Sequence, residues 1–144
     1  MSSSMDKLEQ AVTGWAQISV HPHRFGGREF RYSQAELGHI HADGTVDVPF
    51  SPSLHDALLD ERLAEQLRWV PNSGWVSFRI RNPQVLQHAL WLLRLSYLRY
   101  ALKSTAQPDD LLRQQHAEWH FGPRFVSLLS RFKSAAALTP VTPL

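Results

Sequence analysis

Apolar positions recur along this chain with two different periods. Met5, Leu8 and Val12 fall on one side of a helix over 5–13, and Gly14 ends it. From Trp15 the spacing shortens. Trp15–Val20, Glu29–Tyr32, Leu37–His41 and Thr45–Phe50 read as short strands. Between them lie His21-Pro22-His23 with Gly26-Gly27, then Ser33-Gln34-Ala35, then Asp43-Gly44, all read as turns or irregular segments. That succession predicts an antiparallel meander. Ser51-Pro52-Ser53 opens a helix, with Ser53 as its N-cap and Leu54, Ala57 and Leu58 facing the core. A second helical piece is expected over 61–67, and a turn at Pro71-Asn72-Ser73-Gly74. Trp75–Ile80 alternates, so Val76, Phe78 and Ile80 share a face.

Asn82-Pro83 places a cap and a first-turn proline at the start of a long helix that runs to about Lys103. Leu86, Ala89, Leu90, Leu93, Tyr97 and Tyr100 recur there at helical spacing and predict a central core helix. Pro108 opens another helix to Trp119, Gly122-Pro123 breaks it, and Phe125–Ala137 forms the last. The order helix, antiparallel strands, helices predicts an α+β fold, a β meander packed on one face by helices. Residues 1–104 form that domain. Residues 105–138 are a helical extension that either packs on the same domain or serves as an interface, and 139–144 read as a disordered tail.

Composition narrows the chemistry. The 144 residues suit one domain, and 43% apolar with 19% charged residues is an ordinary globular balance. The absence of cysteine excludes disulfides, thiolate catalysis and Cys-based zinc or iron–sulfur sites. MSSSMDKLEQ has no apolar run of the kind a secretory signal needs. Arg94 and Arg99 interrupt the longest apolar stretch, so it reads as a buried helix and not a membrane span. The expectation is a cytoplasmic protein with no membrane partner. Charge is uneven: residues 1–78 carry six Lys/Arg against ten Asp/Glu, and residues 79–144 carry nine against three. No nucleic-acid motif accompanies the basic half, so it reads as a solvated helical surface and no nucleic-acid partner is expected.

The densest chemistry lies in GHIHADGTVDVPF, Gly38–Phe50. A two-residue Asp43-Gly44 loop would pair Ile40 with Asp47 and mix core and polar faces. A three-residue loop, Ala42-Asp43-Gly44, pairs Ile40 with Val46, His39 with Asp47 and His41 with Thr45, and keeps each face consistent. One face then presents His39, His41 and Asp47. Opposed Cβ atoms sit about 4.5–5.5 Å apart, and alternate residues on a strand about 6.5–7 Å, so the side-chain tips can converge. Two histidines and a carboxylate suit a divalent metal such as iron. They equally suit a metal-free acid/base pair in which Asp47 orients His39, or a purely structural arrangement. Glu36 has the opposite parity unless Gly38 marks a bulge, in which case it joins the cluster.

Four stretches, PHRFGGREFR (22–31), ELGHIHADGTVDVPF (36–50), SGWVSFRIR (73–81) and HALWLLRLSYLRYAL (88–102), together resemble the luciferase-like domain family, which contains fungal luciferases and short bacterial proteins. The similarity to the bacterial members spans about residues 8–102. The fungal similarity is limited to Glu-x-x-His-x-His and a Trp-containing strand before an Asn-capped helix. The resemblance implies that Glu36, His39 and His41 match the family's motif, and that an oxygenase-like activity on a hydroxylated cyclic substrate is one expectation. The chain departs from the pattern at Asp47, where the fungal enzymes have another histidine. It departs again at Arg68 and Trp69, where bacterial relatives often carry a histidine. No counterpart of the fungal membrane anchor is expected. Bioluminescence does not follow, because a shared fold does not carry a shared reaction. In architecture the chain is also similar to the YjbR/TfoX N-terminal type of small α+β domain.

Other candidates stand beside these. His21 and His23, which flank Pro22 near the Gly-Gly turn, can complete a site with His39 and His41 or serve as loop residues, and the loop reading is favoured. Arg24, Arg28 and Arg31 can bind a carboxylate or enolate substrate, or serve as solvated edge charges. Trp75 and Trp69 can line a pocket for a planar ligand, or belong to the core. Ser73-Gly74 lacks the context of a nucleophile elbow, and Gly26-Gly27 is too short for a phosphate loop. Leu111, Leu112, Trp119, Phe121, Phe125, Leu128, Leu129 and Phe132 supply apolar surface that wraps the sheet or forms a homodimer contact. Two functional expectations result. One is a small-molecule-binding enzyme in which His39, His41, Asp47 and Glu36 are catalytic, Arg24, Arg31 and Trp75 contact substrate, and the cofactor is a divalent metal or none. The other is an interaction or dimerisation module whose histidine pair is structural.

Overall fold

The structure is a computed structural model that describes residues 3–70 and 73–133. The tail at 139–144, the end of the last expected helix and half of the turn expected at 71–74 lie outside the described residues. The chain forms two compact units, Met1–Ser96 and Tyr97–Leu144. Their boundary falls inside a helix, where the sequence placed it after residue 104.

In the first unit, α1 (Ser4–Thr13) is capped by Ser3, whose hydroxyl accepts from the Asp6 amide at 3.1 Å. Four strands follow as a meander: β1 (Ile18–His23), β2 (Gly27–Tyr32), β3 (Ala35–Ile40) and β4 (Thr45–Pro49). Then come α2 (Pro52–Asp60), the two-residue β5 (Glu65–Gln66) and β6 (Trp75–Arg79). The antiparallel sheet has the order β1-β2-β3-β4-β6-β5. A single 3-10 turn, Pro83–Val85, leads into α3 (Leu86–Ser104), and Asn82 caps that turn by accepting from the Gln84 amide.

Three local expectations are corrected. His21-Pro22-His23 is not irregular: it completes β1. This strand lies at the edge of the sheet, where the missing proline N–H costs no ladder bond. The cap of α2 is Ser51 and not Ser53, because Pro52 with its fixed φ occupies the first helical position. Residues 61–67 do not continue as a helix. Arg62 takes a left-handed conformation (φ +56°) that ends α2, and Glu65–Gln66 pairs with the open edge of β6.

One face of the sheet is apolar. Phe30, Leu37, Ile40, Val46, Val48 and Val76 are fully buried on it. α1 lies against β1 and β2, with Glu9 ion-paired to Arg28 at 3.2 Å. Along the first half of α3, Leu93 sits over Gly38, where an added Cβ would approach its Cδ2 to 2.9 Å. The buried Ser96 hydroxyl donates to the Leu37 carbonyl at 2.9 Å. The opposite face carries the polar side chains: His21 and His23 of β1, Glu29 and Arg31 of β2, Glu36 and His39 of β3, Asp47 of β4, and Ser77 and Arg79 of β6.

The second unit contains the end of α3, α4 (Pro108–Trp119) and α5 (Pro123–Leu129), followed by a 3-10 turn over Ser130–Phe132. α4 ends at His120, which is left-handed, and Gly122-Pro123 resets the direction. Leu98, Leu102, Leu112, Phe121, Phe125 and Leu129 are buried. Lys133 pairs with Asp109, and the Lys103 ammonium lies 5.4 Å from the Phe132 ring. No helix among the described residues is long and apolar enough to cross a membrane.

Candidate functional site

The hairpin after Gly38 has the three-residue register. His39 pairs with Asp47 and Ile40 with Val46, the His41 amide donates to the Thr45 carbonyl at 2.8 Å, and Gly44 has φ +89°. Period-two alternation sets the rest: His39 and Asp47 must share the polar face once Ile40 and Val46 enter the core. Glu36 joins them through a bulge. The β2–β3 pairing steps from Phe30↔Gly38 to Arg31↔Glu36, which leaves Leu37 as an extra residue turned to the core. The parity of Glu36 is thereby reversed. Its Oε2 accepts from His39 Nδ1 at 2.7 Å.

These side chains form a continuous chain. His39 Nε2 donates to Asp47 Oδ2 at 3.1 Å, and His41 Nε2 donates to the same oxygen at 2.6 Å. Asp47 and His39 are buried, with 3% and 8% of their surface exposed, whereas the His41 side chain keeps 37%. His41 is therefore the exposed end of a buried relay. Oδ1 of Asp47 is itself buried and has no hydrogen-bond partner among the described residues.

His23 completes the cluster from two strands away. Its ring stacks on His39 with centroids 4.0 Å apart and meets His41 edge-on at 5.6 Å. The strand between them carries Gly27 beside His23, so no side chain blocks the crossing. A Cβ there would also meet the Ile40 carbonyl at 2.6 Å, which keeps the position a glycine. Of the two sequence alternatives for His23, a loop residue or a partner of His39 and His41, the structure has the second, the one that was not favoured. The signal that was available is the His-x-His-x₃-Gly spacing beside a second His-x-His strand. Trp75 forms a further wall, 5.3 Å from the His39 ring.

Charge is balanced tightly. Burial disfavours the His39 cation, but hydrogen bonds and charge from Asp47 and Glu36 outweigh it and raise its pKa from 6.5 to about 9. Burial likewise opposes ionisation of Asp47, and the hydrogen bonds from His39 and His41, with Ser77 opposite, hold its carboxyl below the ordinary value. Glu29 faces His39 across β2–β3. Burial pushes its pKa up, but Arg31 at 2.6 Å and His23 at 3.4 Å bring it below the usual range. At neutral pH His39 is an imidazolium between two carboxylates.

Residues 34–96 match the family model described as Luciferase domain. This segment is similar to the luciferase-like family. It runs from the β2–β3 turn into α3 and so contains Glu36, His39, His41, Asp47 and Trp75, whereas His23, Arg24 and Arg31 precede it. Neither the curated proteins nor the solved structures include a significant match to the chain.

Of the other expected substrate contacts, Arg31 lies on the site's face but is held by Glu29. Arg24 is exposed on the turn after His23, its carbonyl accepts from the Gly27 amide, and its side chain makes no hydrogen bond or ion pair with any described residue. Arg28 points to the other face and pairs with Glu9. Trp69, 85% exposed, lines no core.

Among the described residues His23 joins the expected set of His39, His41 and Asp47 as a candidate cation donor. One ring nitrogen each from His23, His39 and His41 lie within 4.8 Å of one another, while Oδ2 of Asp47 is already shared by two imidazoles. The Glu36–His39 bond is the kind of carboxylate support that metal-bound imidazoles receive. Both ring nitrogens of His39 are hydrogen-bonded, to Glu36 and to Asp47, so a divalent ion would take one of them only from neutral His39 and in place of a carboxylate.

Proposed function

We propose that the polar face of the sheet is an acid/base site that exchanges a proton with a hydroxylated small molecule, with His41 as the group that meets it. The observation that carries this reading is the shared Oδ2 of Asp47. One carboxylate oxygen holds both the buried His39 and the half-exposed His41. His39, kept cationic by two carboxylates, neutralises part of the charge around Asp47. The remaining charge on Asp47 orients His41 and stabilises the imidazolium formed when His41 accepts a proton. Glu36 fixes the ring of His39, and Trp75 with the His23–His39 stack forms an aromatic floor for a planar substrate. An oxygenase-like reaction on a hydroxylated cyclic substrate, the activity the family resemblance suggests, would be served by the same removal of a hydroxyl proton.

The test uses a panel of hydroxylated pyrones and phenols. Absorbance reports the bound anion and an electrode reports oxygen uptake. His41→Gln should lower turnover of any accepted compound by about 100-fold or more, while Asp47→Asn should lower it less. Equal turnover in wild type and His41→Gln would remove His41 from the chemistry.

A second reading rests on the common spacing of His23, His39 and His41. These three would hold a divalent cation, which would supply Lewis-acid activation of a substrate oxygen. Elemental analysis of untagged protein separates the two. Near-stoichiometric metal that is lost in His23→Ala replaces the acid/base reading with this one.

A further inference from the structure

A cleft of about 870 Å³ opens beside the end of β6, lined by the segment after α2 and the start of α3. Its size is that of a small-molecule site. Its charge is one-sided. Arg62, Arg68, Arg79 and Arg81 line it, with Glu65 as the one carboxylate on its walls. Among the described residues, none of these four guanidinium groups takes part in an ion pair or side-chain hydrogen bond. Guanidinium groups gathered on a concave wall raise the local positive potential, and their planar forks match carboxylate and phosphate oxygens.

Arg62 adds a second sign. It occupies the left-handed position that ends α2, where the Leu63 amide returns to the Leu58 carbonyl at 2.9 Å. Glycine suits that position best, yet the chain places a cation there, at the wall of the cleft. Phe78, Leu63 and Val85 supply an apolar wall for the rest of a ligand. The cleft borders the strands that carry the histidine site, although His23, His39, His41 and Asp47 do not line it. Ser77, directly opposite Asp47, and Thr45, two residues before it on the same face, both line the cleft.

We propose that this cleft binds an anionic small molecule, an apolar body bearing a carboxylate or a phosphate, and that this molecule is the substrate on which His41 acts. The second half rests on the acid/base reading given above; the first half does not.

The test is calorimetry and ¹H–¹⁵N NMR on the full chain with phenyl phosphate and salicylate as probes, inorganic phosphate to isolate the anion, and phenol as the neutral control. Phenyl phosphate and salicylate should bind and shift the Arg79, Arg81 and Phe78 resonances. Phenol should bind at least tenfold more weakly. Arg79→Gln with Arg81→Gln should weaken the anions at least tenfold, and Arg62→Gly should weaken them without lowering the Tm. Salicylate binding that persists in the arginine variants, or no binding at millimolar probe, overturns the cleft. Arginine-dependent binding of a 20-nucleotide RNA that is tighter than phenyl phosphate overturns the small-molecule class. Once a turned-over compound is known, a KM raised by Arg79→Gln with kcat kept supports the second half, and an unchanged KM overturns it. If His41→Gln leaves turnover intact while the arginine-dependent anion binding stands, the acid/base reading falls and the cleft remains.

Discussion

The charge state of His39 is the property on which the site's electrostatics turn, and pH is the perturbation that tests it. Folding raises the pKa of His39 from 6.5 to about 9, so the folded protein holds this proton more tightly than the unfolded chain. The sign follows directly. The stabilisation is fully present below the unfolded value, and it is lost as pH rises through the folded one. At about 1.4 kcal/mol per tenfold change in proton affinity, the shift corresponds to about 3 kcal/mol, nearly all of it lost between pH 6.5 and 9. The His39 side chain is only 11% exposed, so solvent screening removes little of this. Two assays read it. Urea unfolding at intervals from about pH 6 to 10 should show the decline, and the His39 ring proton shifts should titrate well above the ordinary histidine range. Asp47→Asn removes one of the two carboxylates, so the ring should titrate lower and the alkaline loss should shrink by about half. A His39 that titrates at or below 6.5 in the wild type, or an alkaline decline identical in the two proteins, would refute the reasoning.

Three further outcomes follow from the packing. Gly38→Val drives a side chain into the Asp47 carbonyl and Leu93, at 2.8 and 2.9 Å already for a bare Cβ, and should cost about 3 kcal/mol with loss of the Glu36–His39 coupling in the NMR titration. Ser96→Ala breaks the buried bond to the Leu37 carbonyl and should cost about 1–2 kcal/mol in urea unfolding; a change near zero would contradict the role given to that bond. Arg62→Gly relieves a left-handed side chain at φ +56° and should stabilise by about 0.5–1 kcal/mol, read as a raised Tm, after the extra backbone entropy of glycine is subtracted.

The sequence alone determined what local alternation and turn chemistry control. The hairpin is the clearest case. Ile40, Val46 and Val48 can enter the core together in only one register, and Gly44 is the residue its three-residue loop requires, so the facing of His39 and Asp47 was decided within a dozen residues. Pro108, Gly122-Pro123 and Asn82-Pro83 marked helix boundaries for the same reason: each restricts its own backbone or its neighbour's. The bulge that recruits Glu36 was visible only as a condition on Gly38, because a glycine permits a bulge without demanding it. The meeting of His23 with His39 belongs to the tertiary structure. It depends on β1 pairing with β2, β2 with β3, and Gly27 standing between them, a relation among three strands that no window of sequence contains. The arginine cleft has the same origin. Arg62, Arg68, Arg79 and Arg81 become neighbours only when residues 61–67 abandon the expected helix and the chain after α2 pairs with the edge of β6. Local propensity favoured helix there; the unpaired backbone groups of that edge favoured a strand, and the hydrogen bonds made across the sheet outweigh a preference worth a few tenths of a kcal/mol per residue.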